Sequence, residues 1–366
     1  MLPECLAAKN IMMLRIFPIL LLLLLRVAGQ AQQTGLPVDS LISKGIRLHD
    51  EGQFDAALAL FEQAVKQEPQ NGLANFEAGN TCFALGDYKK ALKYADKALK
   101  IDREALPEAY VLKGNSLDML GKADKAVDAY RKGLKLDPGN YQLHFNLGVT
   151  LLRQEKFAEA EPEFIAALKT NPQYTSAHYM LGYCNAMLLK KTKTLLSFYY
   201  FLLAENQGKR ADIATQFIKG TMQEGMGKTG ERTFNLSVDP AALGDEFGNI
   251  DMSLSIIPIA REMSKQAMKD SLGVDIPDLS FSQQLTNYNE SLFRLLGEVT
   301  ERPADSFWWD TYADFFVDLH RAGHTEALTN FLLMNSEDKT AMTWLRSNGE
   351  KVQAFSDWID AYSKRD

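Results

Sequence analysis

The chain has 366 residues, 46% of them hydrophobic and 24% charged, with a formal net charge of −7. This length allows about two domains, and the hydrophobic fraction is typical of a folded globular protein. The acidic balance argues against a general nucleic-acid-binding protein and against adhesion to anionic lipid, because both need a basic surface.

The first 31 residues have the layout of a secretory signal peptide. Basic residues precede an apolar run over 16–25, and the small residues Gly29 and Ala31 follow it. A run of this length is too short to cross a bilayer as a helix, which needs about 20 residues. We therefore expect cleavage after Ala31 and export to the periplasm or beyond a bacterial envelope. The alternative is an uncleaved N-terminal anchor.

Small residues and prolines recur every 34 or 35 residues through the first half of the chain. One column is all glycine, the next two are alanine with a single glycine, and the last is proline with a single arginine. These columns are Gly45, Gly79, Gly114, Gly148 and Gly182; Ala57, Ala91, Ala126 and Ala160; Ala64, Ala98, Gly133 and Ala167; and Pro69, Arg103, Pro138 and Pro172.

The repeated columns predict two α-helices per repeat and an all-α fold. Small side chains let paired helices approach closely, and each repeat then buries its apolar face against its neighbours. Proline ends the second helix because it lacks an N–H group and clashes with the preceding turn. Gly52, Gly86 and Gly121 fall where the chain must reverse between paired helices.

The segment 72–106, GLANFEAGNTCFALGDYKKALKYADKALKIDREAL, resembles the tetratricopeptide-repeat (TPR) family in its small and aromatic positions. The resemblance implies a helix-turn-helix solenoid over 38–222. We assign it four clear units, a degenerate fifth and a closing helix with a polar outer face. These are 38–71, 72–106, 107–140, 141–174, 175–208 and 209–222.

After Met222 the repeat register is lost. We predict a linker or loop over 223–249, with one short strand over 232–238, and then a smaller, mostly helical domain over 250–366 that holds all four tryptophans. The layout resembles exported TPR proteins of Bacteroidetes-type bacteria. This second resemblance carries no function with it.

Three residues mark expected helix boundaries in the C-terminal part. Pro258 is expected to kink or restart the helix that begins at residue 250. Ser280 or Ser282 is expected to cap the next helix, and Asp305 the one after it, which Gly323 would end.

Candidate catalytic and nucleotide-binding patterns are weak. The segment 225–231, GMGKTGE, lacks the first glycine of a phosphate-binding loop, and no strand is predicted before it. Carboxylates at four- and five-residue steps indicate a solvated helix face. We therefore expect no enzyme activity and no cofactor. The alternative is an unrecognised active site in the C-terminal domain near Asp310 and His320.

Histidines and cysteines are predicted to pack rather than to bind metal. His320 and His324 have the spacing of a helical metal site, but Gly323 is expected to end the helix between them, and a third ligand is lacking. His144 and His178 occupy a repeat position usually held by an aromatic residue. Cys82 and Cys184 are expected to be buried thiols, so no metal is predicted.

In TPR folds the first helix of each unit lines a concave face, through its second, fifth, ninth, twelfth and thirteenth residues. The resemblance therefore implies a groove that holds a segment of a partner protein or peptide. The candidate groove residues are Ile42, Ile46, Phe76, Asn80, Phe83, Val111, Asn115, Met119, Phe145, Val149, Arg153, Tyr179, Tyr183 and Met187.

The groove positions favour a ligand with buried side chains. Asn80 and Asn115 can bond both the N–H and the C=O of a peptide, and their apolar neighbours suit a helical or extended segment. Phe76 and Ala84 stand where chaperone-binding TPR proteins carry lysines, so capture of a C-terminal carboxylate is not expected. Two alternatives stay open: the C-terminal domain fills the groove, or the protein is a self-associating structural protein of the envelope.

Overall fold

The computed structural model describes residues 36–101, 107–223, 226–228, 234–236, 244–273 and 277–364. The predicted signal peptide and Arg103 lie outside these ranges. The described chain is helical apart from one small hairpin, which confirms the all-α class. No helix within the described ranges is both long and apolar enough to cross a membrane.

The first of two compact units ends at Leu112. Helices alternate in it as predicted: α2 packs on α1 before it and α3 after it, and α4 packs on α3. The fifth helix begins in this unit and continues into the next. The helices are α1 (Val38–Asp50), α2 (Phe54–Gln67), α3 (Gly72–Ala84), α4 (Tyr88–Ile101) and α5 (Glu108–Met119).

The second unit begins at Lys113 and continues the helix pairs. The pairs end with an eleventh helix that packs on both α9 and α10, as α9 packs on α7 and α8. The eleventh helix therefore holds the place of the first helix of a sixth repeat. The helices are α6 (Ala123–Leu134), α7 (Tyr141–Arg153), α8 (Phe157–Thr170), α9 (Thr175–Met187), α10 (Lys191–Ala204) and α11 (Lys209–Gln223).

The glycine column lies against aromatic rings of the paired helix. A Cβ atom placed on Gly148 would lie 2.8 Å from the Phe164 ring, closer than side chains tolerate. The same contact joins Gly182 to Phe198, at 2.9 Å. Gly114 meets the Tyr130 ring in this way, and in the first unit Gly45 meets Phe61. The prediction that the glycines allow close helix pairing is confirmed.

The aromatic partners form a column that sequence analysis did not single out. In four repeats a ring lies 16 residues after the glycine, and in the second repeat Ala95 takes its place. There the side chains of Leu112 and Tyr94 approach Gly79 instead. The predicted alanine columns are buried as well. Their members in the described residues are Ala57, Ala91, Ala126, Ala160, Ala64, Ala98 and Ala167.

The turn within each repeat requires a left-handed residue. Gly52, Gly86 and Gly121 adopt φ angles of 76°, 80° and 72° there. Glu155 and Leu189 hold the same place in the fourth and fifth repeats, with φ of 60° and 57°. A side chain in this conformation costs roughly 1–2 kcal/mol, so the last two turns carry strain that glycine would relieve.

Helices dominate the C-terminal part too, and they follow a short antiparallel hairpin. In the hairpin Gly227 faces Asn235, within the stretch predicted to be a linker. The elements are β1 (Met226–Lys228), β2 (Phe234–Leu236), α12 (Gly248–Leu272), α13 (Phe281–Glu298), a π-helical turn (Trp309–Ala313), α14 (Asp314–Arg321), α15 (Thr325–Leu332), α16 (Lys339–Ser347) and α17 (Gly349–Tyr362).

One boundary prediction in this part was wrong, and another holds only in its weaker form. Pro258 does not restart the helix: it lies inside the continuous helix α12, because its fixed φ suits a helix and its ring removes only one bond of the ladder. Asp305 does not cap the following helix: it adopts φ 56°, and Ser306 precedes the first helical residue. Ser280 does cap α13, in a capping box whose second member is Gln283.

The C-terminal helices share their core with the fifth repeat. The buried Tyr199 of α10 donates a hydrogen bond to Asn289 Oδ1 of α13, at 2.6 Å. Its ring centroid also lies 5.8 Å from that of Phe316 in α14, which stacks on Phe293. The region predicted as a separate domain over 250–366 therefore packs in one unit with the last repeats.

We expect the glycine column to be intolerant of side chains. Gly148→Val should lower the free energy of unfolding by about 2 kcal/mol, since overpacking costs roughly 1–3 kcal/mol. The matched control is Gly220→Val in α11, where a Cβ meets nothing within 4 Å. Urea unfolding compares the two. An equal effect at both positions would show that close helix pairing is not what the column provides.

Candidate functional site

The groove positions of the fifth repeat continue onto α11. Counted from Lys209, the ninth and twelfth residues of this helix are Phe217 and Gly220. The Phe217 ring lies edge-on to that of Tyr183, the ninth residue of the fifth repeat, at 5.3 Å between centroids. Sequence analysis treated α11 only as a closing helix and so missed these residues, although the repeat count would have found them.

A groove of about 650 Å³ opens between α9 and α11. This volume lies within the range of ligand sites, roughly 300–1,000 Å³. Its floor is apolar, its polar groups are amides and a hydroxyl, and its lining carries no charge. The lining residues are Ala186, Met187, Leu189, Gln216, Phe217, Gly220, Thr221 and Gln223.

Several predicted groove residues of the second unit are accessible. Met187 is 38% exposed, and Met119 and Arg153 are also exposed. Arg153 forms an ion pair with Asp118. The half-buried residues are Asn115, Phe145, Val149 and Tyr183.

Internal contacts restrict three of these predicted residues. The Oδ1 atom of Asn115 already accepts a hydrogen bond from the Tyr130 hydroxyl, at 2.7 Å. Phe145 packs against the ring of Tyr174, with centroids 4.8 Å apart. Tyr179 is buried, and the guanidinium of Arg210 lies over its ring at 5.6 Å. Tyr179 therefore supports the groove from below.

In the first unit the predicted positions are less open. Ile42 is buried in the core of α1, α2 and α3, so it is not available to a ligand. Ile46 packs against the same core, and Phe76 and Phe83 pack against a second one around Cys82. Asn80 and Val111 are half-buried.

The C-terminal helices approach the array on the side of α10 and on α11, away from the groove lining of α9. The π-helical turn, α12 and α15 pack on α10, and α12 packs on α11. The Lys219 ammonium lies 5.7 Å from the Phe281 ring centroid at the start of α13. Met187 stays exposed meanwhile. In the second unit these helices therefore pack beside the groove without filling it.

A buried ionic network attaches the segment before α12 to the fifth repeat. The Lys190 ammonium lies 2.6 Å from a Glu161 carboxylate oxygen. The Lys193 ammonium lies 2.8 Å from Asp245 and 3.3 Å from Glu246. Removing one partner of such a buried network leaves uncompensated charge, which costs about 3–5 kcal/mol. Lys190 follows the left-handed Leu189 of the turn, and Lys193 lies in the first turn of α10, so both lysines have a structural role.

Asp251 of α12 caps α10 from another helix. Its Oδ1 atom accepts hydrogen bonds from the Thr192 amide (2.8 Å) and hydroxyl (2.5 Å). A cap normally comes from the residue that precedes the helix, here Lys190, whose side chain cannot accept. Burial raises the pKa of Asp251 to about 6, against the opposing hydrogen bonds from Thr192. The raised pKa of Asp251 is therefore explained by the burial of its carboxylate as a helix cap, and it does not by itself indicate a catalytic group.

His144 and His178 occupy the same repeat position but differ in protonation. Both Nε2 atoms lie within 3.0 Å of the proline carbonyl six residues earlier, so both must donate there. The Nδ1 atom of His178 faces the Tyr312 hydroxyl (2.6 Å), from which it accepts. The Nδ1 atom of His144 faces Glu163 (2.6 Å) and must donate. His178 is therefore neutral, and His144 is favoured as imidazolium.

Asp310 and His320, the residues named for a possible active site, lie in different surroundings. Asp310 is exposed. The Nδ1 atom of His320 lies 2.9 Å from Thr325 Oγ1, and Gly323 adopts φ 81° before His324, so the helix ends as predicted. No group of three or more histidine, cysteine or acidic side chains suited to a metal occurs among the described residues.

A family model described as "Tetratricopeptide repeat" matches residues 48–115 and 119–186. The repeat array therefore belongs to the TPR family. The match begins near the end of α1 and ends one residue before the end of α9. It therefore leaves out α10, α11 and the C-terminal helices.

Curated relatives match this array over part of their length. A TPR repeat-containing protein of Methanocaldococcus jannaschii is 26% identical over 129 residues, which are 35% of this chain and 22% of that protein. The Hsp70-Hsp90 organising protein of Plasmodium falciparum is 28% identical over 99 residues, 27% of this chain and 39% of that protein. The chain thus spans a minor part of both.

Among solved structures, YrrB, a TPR protein with an unusual peptide-binding site, is 20% identical to this chain. The alignment covers 52% of this chain and 96% of YrrB, with a TM-score of 0.42.

The two histidines should give opposite pH dependence. Burial lowers the pKa of His178 to about 4, so its stabilisation is present above pH 6.5 and is lost as the pH falls towards 4. Burial also lowers the pKa of His144, but the hydrogen bonds to Glu163 and the Pro138 carbonyl outweigh this and raise it. Its stabilisation is therefore present in acid and is lost as the pH rises through the raised pKa.

Urea unfolding at pH 5 and pH 7.5 tests these signs. His178→Phe should weaken the loss of stability on acidification, by up to about 2 kcal/mol over this pH range. His144→Phe should strengthen that loss. Variants that shift the profile in the same direction would contradict the assigned protonation states.

Proposed function

We propose that this chain is a non-catalytic scaffold that binds an uncharged, apolar segment of a partner protein in the groove between α9 and α11. The observation that carries the proposal is the groove itself: an open, uncharged site of about 650 Å³ at the end of a TPR array. Apolar surface exposed in this way marks an interaction site.

The lining defines the chemistry of the ligand. A charged side chain buried here would lose its hydration without an opposite charge to replace it, so charged segments are disfavoured. Met187 and Phe217 provide a flexible thioether and an aromatic ring for an apolar anchor. Gln216, Thr221 and Gln223 supply donors and acceptors for the ligand backbone.

A scaffold role agrees with the class of relative that the array matches. One of them is by name an organising protein for two other proteins. The perturbed carboxylate and histidine described above, Asp251 and His178, are each engaged in packing contacts between helices. These contacts favour a structural use of the titratable groups over catalysis.

We further propose that the scaffold acts in a bacterial envelope. The basic start, the apolar run over 16–25 and the small residues up to Ala31 support export. Mass spectrometry of the chain recovered from a bacterial envelope checks this proposal. It should find Gln32 as the first residue, and a retained leader would count against cleavage.

A selection from random displayed peptides tests the binding proposal. The full chain should enrich peptides with apolar anchors and few charges. Phe217→Asp should reduce their affinity at least tenfold, because it places an unpaired charge in the groove. The control is Leu136→Asp, an exposed leucine outside the groove lining. Enrichment that Phe217→Asp leaves unchanged, or enrichment of acidic peptides, would contradict the proposed site.

A further inference from the structure

Helix α12 carries an apolar stripe on its solvent side. Met252, Ile256 and Met263 are 39%, 48% and 56% exposed, and the half-buried Ile259 lies between them. The spacings of four, three and four residues are those of a coiled-coil seam. So narrow a stripe suits one partner helix better than a broad apolar surface.

The stripe is palindromic in chemical character. One helical step beyond each methionine stands an exposed amide residue, Asn249 at one end and Gln266 at the other. The order along the seam is therefore amide, methionine, isoleucine, isoleucine, methionine, amide. A surface with this symmetry is complementary to itself about a two-fold axis between residues 257 and 258.

The two halves of α12 differ in their surroundings. The first half is anchored in the molecule by buried residues that include Ile250 and Leu254. From Ala260 to Leu272 every residue except Arg261 and Lys265 is exposed. Isolated helices shorter than about 12–15 residues are marginal in water, so a second helix alongside would stabilise this half.

We propose that α12 pairs with α12 of a second copy of this chain, in antiparallel orientation. Ile256 then packs on the partner's Ile259, and Met252 on the partner's Met263. Each terminal Asn249 lies opposite the partner's Gln266, where two amides can exchange hydrogen bonds.

The orientation follows from the anchoring of the helix. A parallel pair would bring the two anchored halves, and with them the two molecules, to the same end of the seam. The antiparallel pair places each molecule beside the exposed half of the other copy. In the antiparallel pair the dipoles of the two helices also point in opposite directions, which is the favourable arrangement. The small residues Ser253 and Ala260 flank the seam and let the helices approach closely.

The pairing is independent of the groove, because it uses a different helix. Four apolar side chains per copy make a small interface compared with the roughly 800 Å² per partner of a standard one. The dimer should therefore dissociate in the micromolar range.

Sedimentation velocity between about 1 and 100 μM tests the proposal on the full chain. The chain should shift from monomer to dimer over this range. Ile256→Asp should weaken dimerisation at least tenfold, since it buries two charges at the axis. The control Met268→Asp, on another face of the same helix, should leave it unchanged. Ile256→Gln repeats the test with a neutral side chain if the aspartate variant unfolds.

Disulfide trapping tests the orientation. In chains with Cys5 replaced by Ser, a mixture of Ile256→Cys and Ile259→Cys variants should form mixed crosslinks, whereas Ile256→Cys alone should not. Cys82 and Cys184 are buried and do not interfere. A monomer at every concentration, a monomer that instead binds anionic phospholipid vesicles, or efficient crosslinking of Ile256→Cys alone would overturn the proposal.

Discussion

The close contact between a glycine and an aromatic ring sets the geometry of the repeats. Where Gly148 meets Phe164 and Gly182 meets Phe198, the helix backbones are too close for any side chain on the first helix. This contact fixes which residues of the first helix point away from their partner. The side chains of the groove are therefore determined by residues that no ligand touches.

The fifth repeat shows how the same geometry can end an array. Its second helix, α10, is buried along most of its length, because the C-terminal helices pack on it. This packing is stabilised by ion pairs from Lys190 and Lys193 to Asp245, and by the cap that Asp251 of α12 supplies. The C-terminal helices cover the outer side of α10, while α11 packs on α9 and extends its groove face.

The sequence was sufficient to predict the helix pairs because their cause is local and periodic. Small residues at a fixed interval indicate closely packed helix pairs, independently of the rest of the chain. Phe217 falls at the same repeat position as Tyr183, so the period also predicts its place. That prediction was not made, because α11 has no second helix to complete a repeat unit. The burial of Ile42 and Tyr179 was not predictable from spacing, because it depends on which neighbouring side chains cover each position.

The C-terminal part was less predictable for physical reasons. Pro258 has a strong local preference, yet α12 continues through it, because its fixed φ suits a helix and only one bond of the ladder is lost. Asp305 is a favoured capping residue, but the turn before the helix places it in a left-handed conformation. The contacts of Tyr199 with Asn289 and Phe316 join residues 90 or more positions apart. No periodic signal reports such contacts.

The central claim is that the groove positions of the second unit, from Met119 in α5 to Met187 in α9, are open in the intact chain. Thiol labelling of Met187→Cys and Met119→Cys, in a chain with Cys5 replaced by Ser, tests it most directly. Burial raises the pKa of Cys82 to about 11 and that of Cys184 to about 12, so both native thiols serve as slow references. We predict that the two introduced cysteines react with a maleimide at nearly the rate of a free thiol. Protection as strong as that of Cys184 would show that the groove is filled and would contradict the account.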